Sequence, residues 1–202
     1  MIISFCGIDG AGKSSLIELT EKELKNNGYS VFVFKSVSSK SLFCKQFEQV
    51  SCYYKKKYMR NIPTNYSSIL LAFKLFQDSQ FIDKIKDKFD FILLDRWVPC
   101  HKAFSRTYLT QSDLLDCILE SCINPDLTFI VNTDINTSQR RILERGSIKK
   151  QESFYILYRA QKYYLEYSKN KNCYLIENED DKLNEAKNKI IKIVLYEGVK
   201  SE

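Results

Sequence analysis

Five short apolar runs punctuate the chain: Ile2–Cys6, Val31–Phe34, Phe89–Leu94, Leu127–Val131 and Tyr174–Ile176. Each is bounded by polar residues and lacks in–out alternation, as strands covered on both faces do. The intervals between them are helix-length. After the first run, Leu16, Leu19 and Leu24 fall near one helical face, and Asn27-Gly28 stops that helix. Near the end, Leu183, Ala186, Ile190 and Val194 recur at helical spacing. Strand alternating with helix predicts an α/β fold, a five-stranded parallel sheet with helices on both faces. Ligands of such sheets sit beyond the carboxyl ends of the strands. Pro63, Pro99 and Pro125 mark local turns or helix starts. With no repeat, low-complexity stretch or linker, residues 1–202 read as a single domain.

Composition narrows this only a little. Hydrophobic residues at 44% and charged residues at 28% describe an ordinary globule. No apolar run approaches the roughly 20 residues of a membrane span. A strand leading straight into a loop leaves no room for a leader, so a cytoplasmic location is expected. The net charge of +6 suits a small polyanion better than a nucleic acid. Lys55, Lys56, Lys57 and Arg60, interleaved with tyrosines, are read as a solvated helix face rather than a nucleic-acid patch. The 7 cysteines contain no Cys-x-x-Cys, and the 1 histidine is His101. A structural zinc is therefore not expected, and most cysteines are read as small buried hydrophobes in a reducing compartment.

The chemistry begins where the first strand ends. Gly7-Ile8-Asp9-Gly10-Ala11-Gly12-Lys13-Ser14 completes G-x-x-x-x-G-K-[ST] between a strand and a helix beginning near Lys13. The N–H groups of that turn and of the first helical turn lack helical partners and point at one spot that favours negative charge. Gly7, Gly10 and Gly12 let the backbone curl around phosphate oxygens, Lys13 supplies a cation, and Ser14 a hydroxyl for Mg²⁺. The third run ends in Asp95-Arg96. A carboxylate at a strand tip beside a phosphate loop is a Mg²⁺ partner, and Arg96 enters the same crevice. A further basic group, Arg140, Arg141, Arg145, Lys149 and Lys150, brackets Gly146-Ser147, where the helix should break. A cationic segment there, about residues 141–152, reads as a lid over triphosphate.

These residues resemble the thymidylate kinase family. Phe5 through Ser15 is similar to its opening Phe-x-Gly-x-Asp/Glu-Gly-Ala-Gly-Lys-[Ser/Thr], and Asp95-Arg96-Trp97 with Cys100, Ala103 and Phe104 to its Asp-Arg-Tyr-x-x-Ser-x-x-Ala-Tyr. Arg141 to Gly146 with Gln151 to Phe154 resembles the family's lid, and Leu175-Ile176-Glu177-Asn178 its last strand. The resemblance implies a P-loop NTPase fold and transfer of the γ-phosphate of ATP to dTMP with Mg²⁺. It implies ATP binding by Gly7, Asp9, Gly10, Ala11, Gly12, Lys13, Ser14, Ser15 and Arg141. Lys13, Asp95, Arg96 and Arg145 would be catalytic, and Ser14 and Asp95 would hold the metal. The acceptor would meet Asp9, Phe73, Gln77, Arg96, Cys100, His101 and Phe104. A homodimer is implied as well.

The acceptor side departs from the family. Gln77 stands where the family places a phosphate-gripping arginine, four residues after Phe73 of Leu71-Ala72-Phe73. Cys100 replaces a serine and Phe104 a tyrosine. Phe34-Lys35-Ser36 lacks the family's proline, and the lid offers Lys149 and Lys150 in place of an arginine. Lys74 and Lys35 are candidate replacement cations. Three readings stay open: a kinase with dTMP as default acceptor, a related kinase with another phosphorylated acceptor, and a nucleotide-binding module without turnover.

Overall fold

The computed structural model of the protein describes residues 1–36, 42–58, 62–146 and 153–199. Strands β1 (Ile2–Cys6), β2 (Val31–Lys35), β3 (Phe91–Asp95), β4 (Leu127–Asn132) and β5 (Cys173–Glu177) form one parallel sheet in the order β2-β3-β1-β4-β5. The five apolar runs are therefore the five strands. Every residue of β1 and β3 is buried, as strands without alternation require.

The third strand starts later than its apolar run. Lys86–Lys88 form a 3₁₀ turn, and the Phe89 ring stacks on Phe32 at 5.1 Å instead of entering the sheet. Asp90 accepts hydrogen bonds from the Ser30 N–H and hydroxyl at 2.7 and 2.6 Å. The strand also runs further than its apolar residues, because Asp95 continues the ladder opposite Phe5 and Lys35.

The helices are α1 (Lys13–Asn26), α2 (Leu42–Tyr58), α3 (Thr64–Ile85), α4 (Val98–Tyr108), α5 (Asp113–Glu120), α6 (Ile135–Glu144), α7 (Phe154–Tyr167) and α8 (Leu183–Val199). α1 packs beside α8, while α3 packs on α4 and α5, and α4 on α7; these two groups cover the sheet. α1 stops as expected: Gly28 takes φ 87°, and the Tyr29 N–H reaches back to Leu24 O at 3.1 Å. Leu16 and Leu24 are fully buried but Leu19 only half so, since Ile17 shares the inner face instead. In α8, Ala186, Ile190 and Val194 are all buried. Pro63 precedes α3, Pro99 lies in the first turn of α4, and Pro125 precedes β4. α6 ends at Glu144 with Gly146 at φ 82°, the break expected there; Ser147, Lys149, Lys150, Gln151 and Glu152 lie outside the described residues.

Two surfaces differ from the sequence expectation. Cys6, Cys100 and Cys122 are buried, but Cys52 and Cys117 are exposed on polar helix faces. α3 carries apolar residues on both faces: Ala72, Leu75 and Ile82 face the core, while Tyr66, Leu70 and Phe73 face outward. Lys55, Lys56 and Lys57 lie exposed on α2, and Arg60 is outside the described residues. Among the described residues, no helix is long and apolar enough to cross a membrane, and no three His, Cys, Asp or Glu side chains gather as metal ligands.

The packing of α8 gives a direct test. Ile190→Ala should cost about 2–4 kcal/mol, whereas Leu114→Ala on the exposed face of α5 should stay within about 0.5 kcal/mol. Urea unfolding followed by the fluorescence of buried Trp97 measures both. Equal losses would mean that α8 is not docked as described.

Candidate active site

The carboxyl ends of β1 and β3 adjoin, and the sequence motifs meet there. The glycine-rich turn between β1 and α1 is held in a shape only glycine allows at two points. Gly7, at φ 144°, lies against the Val131 carbonyl, and Gly12, at φ 89°, against the Asn178 amide; a Cβ on either would strike its neighbour. No side chain caps α1, and its first turn carries no acidic residue, so its leading N–H groups stay available to a ligand.

Lys13 curls back into this turn, 6% exposed, and its ammonium donates to Gly7 O at 3.0 Å and Ile8 O at 2.7 Å. Burial, then the nearby Arg96 charge, lowers its pKa to about 8 against the pull of Asp9 and Asp95. Other elements buttress the loop. Ser138 Oγ donates to Asp9 O at 2.6 Å, and Asn178 Nδ2 to Ala11 O at 2.7 Å. Arg141 donates to Gly10 O at 3.3 Å and Asn178 O at 3.0 Å, and pairs with Asp180 at 3.1 Å.

The motif hydroxyl and the strand-tip carboxylate come together: Ser14 Oγ donates to Asp95 Oδ2 at 3.4 Å. Asp95 is buried, and the same Oδ2 lies 2.9 Å from the Lys35 ammonium. Two hard oxygens with a cation already drawn to one of them fit Mg²⁺, which takes few protein ligands and keeps its waters. Ser15 is exposed on the first turn of α1.

Arg96 follows Asp95 at φ 73°, a left-handed conformation that a non-glycine residue adopts at a cost. Its guanidinium forms an ion pair with Asp9. Burial opposes both charges, but each partner overrides it: Asp9 is held below the usual carboxylate range by Arg96 and Lys13, with Arg145 adding to the effect, and the Arg96 pKa is raised by Asp9. Beside this pair opens a cavity of about 90 Å³, lined by Cys100, Phe104, Tyr108, Leu157 and Tyr164 among others. Of two neighbouring buried thiols only Cys100 lines it; burial raises the Cys6 thiol, whereas hydrogen bonding from Cys6 and the Arg96 charge overcome burial and lower Cys100. His101 is half-buried nearby; burial and then Arg96 push its pKa down to about 4, so it is neutral at pH 7.

Asp9, Lys13, Ser14, Asp95, Arg96, Cys100 and Phe104 are thus gathered at one edge. Phe73 and Gln77 are not: both are exposed on the outer face of α3, Phe73 by 48%, and neither lines the cavity. Arg145 is exposed at the end of α6. The sequence set Asn178 only in a segment resembling the family's last strand and the loop near the donor adenine, and gave no role to Ser138 or Tyr164. Asn178 directly follows a strand, a position where site residues gather; Ser138 and Tyr164 lie inside helices and carry no such signal. Among the described residues, Asn178 Oδ1 is buried without a hydrogen-bond partner.

A parallel sheet with a glycine-rich phosphate cradle at its carboxyl edge defines a P-loop nucleotide-binding protein of the kinase type. The sequence model for thymidylate kinase matches residues 5–190, and the chain belongs to the thymidylate kinase family. It is 25% identical over 194 residues to a probable thymidylate kinase of Sulfurisphaera tokodaii, covering 95% of this chain and 94% of that one. It is 22% identical over 191 residues to another from Methanocaldococcus jannaschii, covering 95% and 94%. Among solved structures it is similar to the thymidylate kinase of Candida albicans (TM-score 0.72, 16% identity, 97% and 91% covered). The Ehrlichia chaffeensis thymidylate kinase is also similar (TM-score 0.67, 19% identity, 96% and 98% covered). Family membership makes the protein a nucleoside monophosphate kinase, a transferase.

Lys13 sets a pH dependence. A phosphate ligand favours its protonated form, so affinity declines once pH passes the unliganded pKa of about 8. Calorimetric titration with ADP should show near-constant affinity between about pH 7 and 8, then a loss approaching roughly tenfold per pH unit. In Lys13→Ala that loss should vanish. An unchanged alkaline limb in the variant would remove Lys13 from phosphate recognition.

Proposed function

We propose that the protein transfers the γ-phosphate of ATP to dTMP, giving dTDP, at the carboxyl edge of its sheet. The observation that carries this reading is the meeting of the phosphate loop, the Ser14–Asp95 pair and the Asp9–Arg96 pair beside one cavity. The loop amides from Gly7 to Ser15, with Ala11 in the turn, would cradle the donor's phosphates, with Lys13 neutralising the transferring group. Arg141, already bound to Gly10 O, would close the donor side, and Arg145 would approach it from the end of α6. Ser14 and Asp95 would hold Mg²⁺, which when bound screens the charge that gathers between donor and leaving oxygens.

Arg96 would grip the acceptor's phosphate, and Asp9 keeps that guanidinium aimed. The cavity wall of Phe104, Leu157 and Tyr164 gives a flat apolar base a dry surface. A phosphate monoester has a second pKa near 6 and is already the nucleophile at pH 7, so no general base is needed. Catalysis then reduces to alignment and charge stabilisation, the two things phosphoryl transfer demands.

A coupled ADP-release assay across dTMP, dUMP, dCMP, dAMP and dGMP tests the reading. dTMP should turn over fastest, Lys13→Ala should lose at least 100-fold on the order expected for an electrostatic contact to the reacting group, and Asp95→Asn should lose turnover far more than nucleotide affinity. Turnover of dTMP no better than of dAMP would give the acceptor role to another nucleotide. ATP binding without turnover of any acceptor would leave a binding module.

We further propose a homodimer in the cytoplasm, resting on the outer face of α3, where Tyr66, Leu70 and Phe73, exposed among the described residues, recur at coiled-coil spacing. Phe73→Asp should shift the sedimentation of the protein toward the monomer while leaving the KM for dTMP within about twofold. A raised KM with unchanged sedimentation would instead place Phe73 at the acceptor.

A further inference from the structure

The register of β2 against β3 sets Lys35 directly opposite Asp95. Residues paired in this way leave the sheet on the same side. The Lys35 ammonium accordingly sits 2.9 Å from Asp95 Oδ2, the oxygen that also accepts from Ser14 Oγ. The two side chains are unequally placed: that of Lys35 is 51% exposed and that of Asp95 8%. A flexible, half-solvated cation therefore approaches a buried anion from outside.

Lys74, the other lysine near this edge, is tied differently. It pairs with Asp78 on its own helix, and Asp78 is fixed by a hydrogen bond from buried Ser36 Oγ at 2.8 Å. Neither Asp78 nor Ser36 belongs to the donor cradle, so occupancy there gives Lys74 no cause to let go. Lys35 is in the opposite position, because its partner is the carboxylate that fits Mg²⁺. An ammonium and a divalent cation on one oxygen repel each other strongly in a partly buried setting. Arg96 is already engaged by Asp9, and an incoming monophosphate brings close to two negative charges.

We propose that Lys35 is an exchangeable cation: it neutralises Asp95 in the empty enzyme, yields that oxygen when metal-bound donor enters, and then serves the acceptor's phosphate. This rests on the kinase reading above. It makes donor and acceptor reinforce each other, since a ligand that frees Lys35 raises affinity for the group that uses it, and the coupling is reciprocal. It also assigns to a strand-tip lysine part of the charge that Gln77, outward on α3, does not supply.

The test uses the full chain as wild type, Lys35→Met and Lys35→Arg, with thermal melts to verify folding. dTMP is titrated calorimetrically into the ADP complex, with Mg²⁺ or with chelator. In the wild type Mg²⁺ should tighten dTMP about tenfold, a usual coupling size. In Lys35→Met that gain should fall below about twofold, and Lys35→Arg should keep it. Independently of any acceptor, Mn²⁺ binding to the ADP complex, read from the free-ion electron-spin signal, should be several-fold tighter in Lys35→Met because the competing ammonium is gone. An equal Mg²⁺ effect in Lys35→Met, or Mn²⁺ affinity no higher than in the wild type, would overturn the proposal. Absence of coupling in a wild type that still phosphorylates dTMP would overturn it while sparing the kinase reading. A wild type that turns over no dTMP would overturn both.

Discussion

The ammonium of Lys13 is the centre around which the site is built. A buried cation must be solvated by the protein, and here two carbonyls of its own loop do so, those of Gly7 and Ile8. Closing this ring turns those carbonyls inward and leaves the loop's N–H groups to face the ligand. The cradle is therefore shaped before any phosphate arrives, so little reorganisation remains for the reaction. Burial also brings the lysine's pKa down to about 8, so the same contact that forms the loop ties phosphate binding to pH.

The sides proposed for donor and acceptor are made of different material. The donor half is backbone and small residues, locked from behind by Ser138, Asn178 and Arg141. At Gly7 and Gly12 there is no room for a single added carbon. The side proposed for the acceptor is built on charged side chains, with Asp9 paired to Arg96 and, beside the metal oxygens, Lys35 paired to Asp95. A backbone cradle tolerates almost no change, whereas one cation can replace another if it reaches the same space. That contrast accounts for where this chain departs from its family. The phosphate loop keeps the family's letters, while Gln77, Cys100 and Phe104 stand at changed positions.

The cavity floor shows how neighbouring residues set each other's chemistry. The Cys6 hydrogen bond and the Arg96 charge make the Cys100 thiol give up its proton more readily, while burial first of all holds the proton on Cys6. Burial, with the Arg96 charge adding to it, lowers the His101 pKa. One guanidinium thus acts on the acid strength of Asp9, Lys13 and Tyr164 as well as of Cys100 and His101. Its left-handed backbone, set by the turn out of β3, fixes where that charge lies.

The sequence by itself determined what is local. Strands covered on both faces read as plain apolar runs, and all five were legible to within about two residues. The phosphate cradle is legible because its parts are contiguous in Gly7–Ser14, and Asp95 because it caps an apolar run. Only the tertiary structure decided what depends on packing between distant segments. The register that faces Lys35 with Asp95, and the crossing that sets Asn178 under Gly12, leave no trace in either local sequence. Nor does the turning outward of Phe73 and Gln77. α3 carries apolar residues on both faces, so its periodicity cannot say which face meets the core, and the helices it packs against make that choice.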